Sequence, residues 1–266
     1  MMGRTHALTG ALAGLGIGRW LGLDTVPDLL PFATVTAGYA LLPDLDHPSA
    51  SATRLLGPIT KGISRILRAG SGWLYARTKG PRDENCSGTH RHLSHTLLFA
   101  LILGGICAVT TAVGGPWTVA GWLAFGVLLA ADRLGRIAWW TFAAGAASWL
   151  PATLAAGQPL GPAALGALTD SAGLTSGIAV GLGCFVHCLG DSVTEAGTPW
   201  LFPLPLAGET WYEIRPPAWL RFRAGGPFEH IVVAPAVIGA CVLTLPGVLP
   251  HLLDAFALSP QVTATS

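Results

Sequence analysis

The segment Gly88-Thr89-His90-Arg91-His92-Leu93-Ser94-His95-Thr96 lies where a basic loop meets a long apolar run. Its three imidazoles and one guanidinium fall within six residues, directly before a predicted helix. The residues that follow are apolar as far as about position 113, a length that suits a helix crossing a lipid bilayer. This junction therefore predicts a membrane-spanning helix with a group of ionisable side chains at its polar end.

The composition of the whole chain is typical of a membrane protein. Of the 266 residues, 51% are hydrophobic and only 11% are charged, and the mean hydropathy is +0.55. Soluble domains carry roughly 25% charged residues, so this chain has too few charges to cover a surface facing water. The formal net charge of +1 gives no general attraction for nucleic acid. The five cysteines are scattered without a CxxC pair, which predicts no disulfide framework.

Apolar runs recur along the chain and predict an all-α, polytopic membrane bundle with about seven transmembrane helices, forming one domain over 1–266. The predicted spans are 7–23, 29–42, 96–113, 117–131, 137–155, 174–190 and 231–249, of which the second and fourth are short. One long polar insertion, 49–89, separates the second span from the third. Its first part places Lys61, Arg65 and Arg68 between apolar residues at helical spacing, which predicts an amphipathic helix on the lipid headgroups. Residues 78–87 are predicted to form a mobile loop.

The basic residues indicate the orientation of the chain in the membrane. If the N-terminus is cytoplasmic, fourteen of the fifteen lysines and arginines fall on the cytoplasmic side, and only Arg19 lies near the other side. Cytoplasmic loops of membrane proteins are enriched in these residues, so the distribution supports this multi-pass topology. The same topology places seven of the eight histidines at the cytoplasmic interface, with only His251 on the opposite side.

Carboxylates collect at the same interface as the histidines. Asp44 and Asp46 follow the second predicted span, and Asp191 follows the sixth. His187 and Asp191 are four residues apart, so on a helix they share one face. Imidazoles and carboxylates together suit zinc, with manganese or iron as the alternatives. The sequence therefore predicts a divalent-metal site at this interface, with enough ligands for two ions.

Each residue alone also has a purely structural interpretation. His6 is typical of a histidine at a membrane interface, Asp44 and Asp46 could cap a helix, and Arg91 could contact lipid phosphates. The metal site is favoured because chance would spread these residues over both faces of the membrane. The sequence does not decide whether four further residues belong to the site: His47, His92, Glu229 and His230.

Several motifs resemble the YdjM family of bacterial inner-membrane proteins, which are described as metal-dependent hydrolases. They are His6 before a Gly/Ala-rich run, Leu42-Pro43-Asp44-Leu45-Asp46, the segment 90–96, His187-Cys188-Leu189-Gly190-Asp191, and Gly197-Thr198-Pro199-Trp200. The resemblance covers most of the chain except the insertion 49–89, and it extends distantly to zinc-dependent phospholipase C and S1/P1-type nucleases. It implies seven metal ligands, which are His6, Asp44, Asp46, His90, His95, His187 and Asp191.

These observations lead to the hypothesis of a membrane-bound, metal-dependent hydrolase at the cytoplasmic face of the inner membrane. Water activated by one to three divalent ions, zinc or manganese, would attack a small-molecule or lipid phosphoester. Whichever of Asp46 and Asp191 is not fully engaged as a ligand would orient or deprotonate that water, and Arg91 would stabilise negative charge in the transition state. Membrane lipid is an expected partner and nucleic acid is not, while the oligomeric state is left open.

Two other classes of function use the same ligands. One is a divalent-metal transporter or sensor, which needs a polar path across the bilayer. The other is a non-catalytic membrane protein with a structural metal site, which needs about four ligands. Because the chain offers seven or more candidate ligands, the sequence favours catalysis.

Overall fold

The computed structural model describes residues 1–155 and 162–256 of the chain. These residues form helices joined by turns and loops, with three isolated β-bridges and no β-strand among them. The α-helices are α1 (Gly3–Trp20), α2 (Val26–Tyr39), α3 (Ser51–Arg54), α4 (Pro58–Thr78), α5 (Leu97–Leu134), α6 (Arg136–Ala155), α7 (Pro162–Ser192), α8 (Ala234–Thr244) and α9 (Val248–Ala255). Short 3-10 segments at Pro43–Asp46, Leu93–His95 and Ala218–Leu220, and a π-helical turn at Glu229–Val233, lie between them.

The two N-terminal helices form an antiparallel pair packed through small residues. A Cβ atom added at Gly14 of α1 would lie 2.6 Å from the Cα atom of Ala33 in α2. On another face of α2, a Cβ atom at Gly38 would lie 1.8 Å from the carbonyl oxygen of Gly126 in α5. Small residues permit such close backbone approach. The pairing returns the chain after α2 to the end of the bundle where α1 begins, beside His6.

A sharp bend divides α5 into two apolar halves. The backbone leaves the helical region at Gly115, where φ is 69°, and the following proline cannot continue the hydrogen-bonding pattern. Across the bend, the indole Nε1 of Trp122 donates a hydrogen bond to the hydroxyl of Thr110 at 3.0 Å. The two halves, Leu97–Gly115 and Trp117–Leu134, therefore fold back on each other.

In the part of the chain that the structure describes, three helices are long and apolar enough to cross a membrane: Leu97–Gly115, Trp117–Leu134 and Gly173–Ser192. The pair Glu229–Thr244 and Val248–Ala255, which is bent by 92°, adds a fourth if it is counted as one span. The all-helical architecture with apolar, membrane-length helices is confirmed. The predicted number of seven spans is not clearly seen, since three or four helices qualify.

The second predicted span shows one reason for this difference. α2 has 14 residues and is therefore about 21 Å long, shorter than a hydrocarbon core of roughly 30 Å. Its apolar side chains lie inside the protein: Leu29, Val35 and Tyr39 are each exposed by 1% or less. The apolar sequence of α2 thus reflects packing within the bundle, which a hydropathy pattern does not distinguish from contact with lipid.

The insertion forms the predicted helix and an anchored loop. α4 occupies Pro58–Thr78, so the helix ends ten residues after Arg68, the last basic residue used to predict it. The loop after it, predicted to be mobile, is tied to the rest of the chain. The carboxylate of Asp83 accepts a hydrogen bond from the backbone N–H of Trp211 at 2.9 Å, and Ser71 donates to the carbonyl of Gly88 at 2.5 Å. The insertion therefore packs beside the cluster of histidines.

Candidate metal centre

Four separate segments bring ionisable residues to one end of the bundle. The start of α1, the Pro43–Asp46 turn, the Leu93–His95 turn and the end of α7 all contribute. Five of these residues are fully buried, with 0% exposure: His6, Asp46, His95, His187 and Asp191. Burying so many ionisable groups costs free energy unless they pair with one another or bind an ion.

The imidazoles of His95 and His187 face each other at the centre of the site. Their Nε2 atoms are 3.1 Å apart, and Oδ2 of Asp191 lies 3.7 Å from each of them. Around one tetrahedral zinc ion, with bonds of about 2.0–2.1 Å, ligand atoms are about 3.3 Å apart. These three atoms therefore have the spacing expected for ligands of a single ion.

A backbone carbonyl at the end of α2 orients the ring of His187. Its Nδ1 atom lies 2.8 Å from the carbonyl oxygen of Ala40, which can only accept, so Nδ1 carries the proton. Nε2 then keeps its lone pair and points into the cluster. A hydrogen bond of this kind on the second ring nitrogen is usual for histidines that bind metals, because it fixes the tautomer and the ring orientation.

A second group of potential ligands overlaps the first. Asp44 Oδ1 is 3.7 Å from Nε2 of His187, and the ring of His6 stacks on that of His187 with centroids 3.8 Å apart. One ligand atom from each of His6, Asp44 and His187 lies within 4.8 Å of the other two. Because His187 belongs to both groups, the geometry suits either one shared ion or two neighbouring ions.

The buried Nδ1 of His6 has no hydrogen-bond partner among the described residues, and the buried Oδ2 of Asp191 has an ion pair with Arg91 at 3.2 Å but no hydrogen bond. The other oxygen of Asp191 contacts the Met1 α-ammonium group and lies 3.0 Å from Nε2 of His6. Buried polar atoms are nearly always hydrogen bonded. Imidazole nitrogens and carboxylate oxygens are the ligand atoms that zinc and manganese bind, so the residues present fit such an ion.

Asp46 lies behind His95 and accepts hydrogen bonds on both oxygens. Nδ1 of His90 is 2.6 Å from Oδ1, while the N–H of Arg91 and the hydroxyl of Ser94 donate to Oδ2 at 2.8 and 2.7 Å. Burial by itself raises the pKa of Asp46, but the charges and hydrogen bonds of His95 and His90 outweigh it and hold that pKa well below its usual range. Asp46 therefore stays ionised, 3.4 Å from Nδ1 of His95.

The same pairing acts on His95. Its burial lowers the pKa of the imidazole, but the charge of Asp46 and its hydrogen bond outweigh the burial and raise that pKa. Asp46 is thus placed to hold the ring of His95 with Nε2 directed at His187.

Arg91 connects the buried cluster to the outside. Its φ of 57° is left-handed, which is unusual for a residue with a side chain. In this conformation its N–H contacts Asp46, and its Nη2 atom lies 3.2 Å from Oδ2 of Asp191. The side chain of Arg91 is 27% exposed, whereas that of Asp191 is 1% exposed. A guanidinium therefore stands between the potential ligands and the surface.

Comparison with models of protein families identifies the family to which the chain belongs. The family model of the YdjM inner membrane protein matches residues 1–250, which include every residue of the cluster. The chain belongs to the YdjM inner membrane protein family. Comparisons with curated proteins and with solved structures find no match. The family and the apolar helices together identify a membrane protein.

The structure of this YdjM-family protein brings most of the predicted ligands together. The two overlapping groups contain His6, Asp44, His95, His187 and Asp191. Asp46 and His90 lie beside them as a hydrogen-bonded pair, and their roles as ligands remain predictions.

The four open candidates lie outside the two overlapping groups. Glu229 instead accepts hydrogen bonds from the backbone N–H groups of Met2 at 2.7 Å and Gly225 at 2.8 Å. His92 contacts the rings of Tyr75 and Trp211. His47 contacts the ring of His90, and His230 is exposed.

Sequence reasoning missed two partners of the YdjM-family site. Ser94 lies within the histidine-rich segment 88–96, but only the turn at Leu93–His95 places its hydroxyl 2.7 Å from Asp46. The only feature of the sequence that indicated a role for Ser94 was its position next to His95. Ala40 contributes a backbone carbonyl, and no side-chain pattern indicates such a role.

Proposed function

We propose that this YdjM-family protein is a membrane-bound, metal-dependent hydrolase that acts on a phosphoester at the cytoplasmic face of the inner membrane. The distribution of basic residues supports a multi-pass topology with the N-terminus and the site on the cytoplasmic side. The predicted seven spans are part of this proposal, as is the position of the insertion 49–89 on the headgroups. Membrane lipid is then the immediate environment of the site.

The proposed metal is zinc, or alternatively manganese, as one to three ions. The ligand set taken from the sequence is His6, Asp44, Asp46, His90, His95, His187 and Asp191. The 3.1–3.7 Å separations among His95, His187 and Asp191 support it. When bound, zinc polarises a phosphoryl oxygen and lowers the pKa of a coordinated water to about 7.

One observation carries the proposal. The buried Oδ2 of Asp191 lies 3.7 Å from two imidazole nitrogens on one side and 3.2 Å from the guanidinium of Arg91 on the other. A structural metal site is closed by about four ligands. A partly exposed arginine beside the potential ligands favours a hydrolytic site for phosphoesters, because guanidinium donates two parallel hydrogen bonds to phosphate.

The carboxylates have separate roles in this proposal. Asp46, kept ionised by its partners, orients His95 and the backbone of Arg91. Asp191 lies closest to the space between the imidazoles and the arginine, so it is the better placed of the two to orient the attacking water. Arg91 binds the phosphoryl oxygens and stabilises the charge that develops on them.

Transport is less well supported than hydrolysis. The three apolar helices Leu97–Gly115, Trp117–Leu134 and Gly173–Ser192 contain only four acidic, basic or histidine residues: Asp132, Arg133, His187 and Asp191. All four lie toward the end of the bundle that carries the metal site. A path for ions needs polar groups farther along the spans.

The proposal is tested by elemental analysis of the purified protein, combined with hydrolysis assays on phosphodiester and phosphomonoester lipids. We expect bound zinc or manganese and release of a water-soluble phosphorylated product. His187→Ala should abolish both, and the exposed His230→Ala serves as the matched control. A purified protein without divalent metal, or unchanged metal content in His187→Ala, would overturn the proposal.

A further inference from the structure

An apolar groove of about 390 Å³ runs along the outside of the bundle between α5 and α7. The backbones of the two helices touch along its floor, because a Cβ atom added at Gly177 would lie 2.6 Å from the carbonyl oxygen of Gly104. Leu101 and Leu174 border the groove and are 63% and 71% exposed. Both helices contain candidate membrane spans, so these exposed apolar residues face the lipid phase.

The groove begins beside the metal centre. Leu97 and Phe185, which line this end, lie two positions along the chain from His95 and His187, respectively. Trp200 covers the same end: its carbonyl accepts a hydrogen bond from the N–H of Leu97 at 2.8 Å, and its ring meets that of Phe185 edge-on at 5.8 Å. The mouth of the groove is therefore within one helical turn of two potential metal ligands.

The length of the groove matches one leaflet of a membrane. From Leu97 to Ala108 the lining extends over twelve residues of α5, which corresponds to about 16 Å of helix. This is about half of a hydrocarbon core roughly 30 Å thick. A lipid whose headgroup lies at the polar end of the bundle would place one acyl chain along this distance.

We infer that the groove holds an acyl chain of a phospholipid and thereby positions its phosphoester at the metal centre. That a phosphoester is positioned there rests on the proposed function. The substrate is then a membrane phospholipid rather than a soluble phosphoester. The occupant is apolar because the lining is apolar and its exposed leucines lie on membrane-length helices, and a chain of this length places its headgroup at the polar end of the bundle. A second copy of this chain is the competing occupant, since small residues also favour helix packing in membranes.

Gly105 allows the groove to be filled without disturbing the helix contact. It lines the groove, and a Cβ atom added there meets no atom within 4 Å. Gly105→Leu should fold normally, because leucine also has a higher helix propensity than glycine. Gly239→Leu on α8 is the matched control: its Cβ atom likewise meets nothing within 4 Å, and it does not line the groove.

The test uses the full chain in vesicles of phosphatidylethanolamine and phosphatidylglycerol. A trace of phospholipid carries a diazirine in the middle of one acyl chain, and the cross-linked peptides are mapped by mass spectrometry. We expect adducts concentrated on 97–108 and 174–185 in the wild type and in Gly239→Leu, with at least a tenfold loss in Gly105→Leu. Adducts spread evenly over the apolar helices would overturn the inference, and so would a dimer that Gly105→Leu converts to a monomer.

Hydrolysis in the same preparations separates this inference from the proposed function. Gly105→Leu should lower kcat/KM for a long-chain phospholipid at least tenfold, and should leave metal content and hydrolysis of a short-chain, water-soluble phosphodiester unchanged. Unchanged long-chain hydrolysis would overturn the groove inference alone. Groove labelling without hydrolysis of any phosphoester would overturn the hydrolase and leave the acyl-chain site standing.

Discussion

The Nε2 atoms of His95 and His187 lie 3.1 Å apart, although 92 positions separate the two residues in the chain. Each ring is held from its far side, His187 by the carbonyl of Ala40 and His95 by the carboxylate of Asp46. With Nδ1 protonated on both rings, two nitrogen lone pairs face each other, and a proton or a metal ion between them is needed to offset their repulsion. The first prediction concerns these two residues.

His95→Ala should remove more metal than His90→Ala. His95 directs Nε2 at His187, whereas Nδ1 of His90 lies 2.6 Å from Asp46, and the side chain of His90 is 37% exposed. Zinc and manganese are measured by elemental analysis of each purified variant, with His230→Ala as the control. Equal metal loss in His95→Ala and His90→Ala would contradict this ranking.

Asp46→Asn should weaken metal binding without unfolding the protein. The substitution keeps the shape of the side chain but removes the negative charge that orients His95, and losses of such supporting groups typically cost about 10–100-fold in metal affinity. Competition with a chelator measures the affinity. Asp132→Asn is the control, since Asp132 bonds Ser51 and Arg133 instead. Wild-type affinity in Asp46→Asn would rule out this orienting role.

Arg91→Gly and Arg91→Ala should both lose about 10²-fold in kcat for phosphoester hydrolysis, the effect of deleting one donor to transition-state charge. Glycine adopts the left-handed φ of 57° freely, while alanine bears a cost of about 1–2 kcal/mol there. Arg91→Gly should therefore have the higher thermal midpoint of the two, and both should retain metal. Activity that survives in Arg91→Gly would show that the guanidinium has no part in the reaction.

Cys86 should report the orientation of the chain in the membrane. It is exposed in the loop beside the metal centre, whereas Cys107, Cys184 and Cys188 are buried. A membrane-impermeant maleimide added to spheroplasts should label Cys86 only after permeabilisation. Asp24→Cys in a Cys86→Ser background places a thiol in the turn between α1 and α2, at the other end of the bundle, and should be labelled in intact spheroplasts. The reverse pattern would invert the proposed topology.

Gly38→Ala should destabilise the bundle. The new methyl group would lie 1.8 Å from the carbonyl oxygen of Gly126, so α2 and α5 would have to separate. Overpacking typically costs about 1–3 kcal/mol, which lowers the thermal midpoint in detergent by several degrees. Gly16→Ala is the control, since its Cβ atom meets nothing within 4 Å, and it should be neutral or slightly stabilising. Equal midpoints for the two variants would show that the α2–α5 contact is not tightly packed.

The sequence predicted which histidines and aspartates lie together at one end of the bundle better than it predicted the number of membrane-length helices. The i, i+4 spacing of His187 and Asp191 is a local property of one helix, and the structure has their Nε2 and Oδ2 atoms 3.7 Å apart. Hydropathy is also local, but it records only that a segment avoids water. It could not show that the apolar side chains of α2 lie inside the protein, so the sequence predicts seven spans where three or four helices among the described residues are clearly long and apolar enough.

The sequence by itself determined the helical character, the family and the collection of histidines and aspartates at one end of the bundle, because these follow from composition, periodicity and motif order. Only the tertiary structure decided which of them face one another. A Cβ atom added at Gly183 of α7 would lie 2.5 Å from the carbonyl oxygen of Thr36 in α2, so close packing of these two helices places the Pro43–Asp46 turn beside α7. That packing brings Asp44 to His187 and places Asp46 behind His95, at distances of a few ångströms that no spacing along the chain can specify.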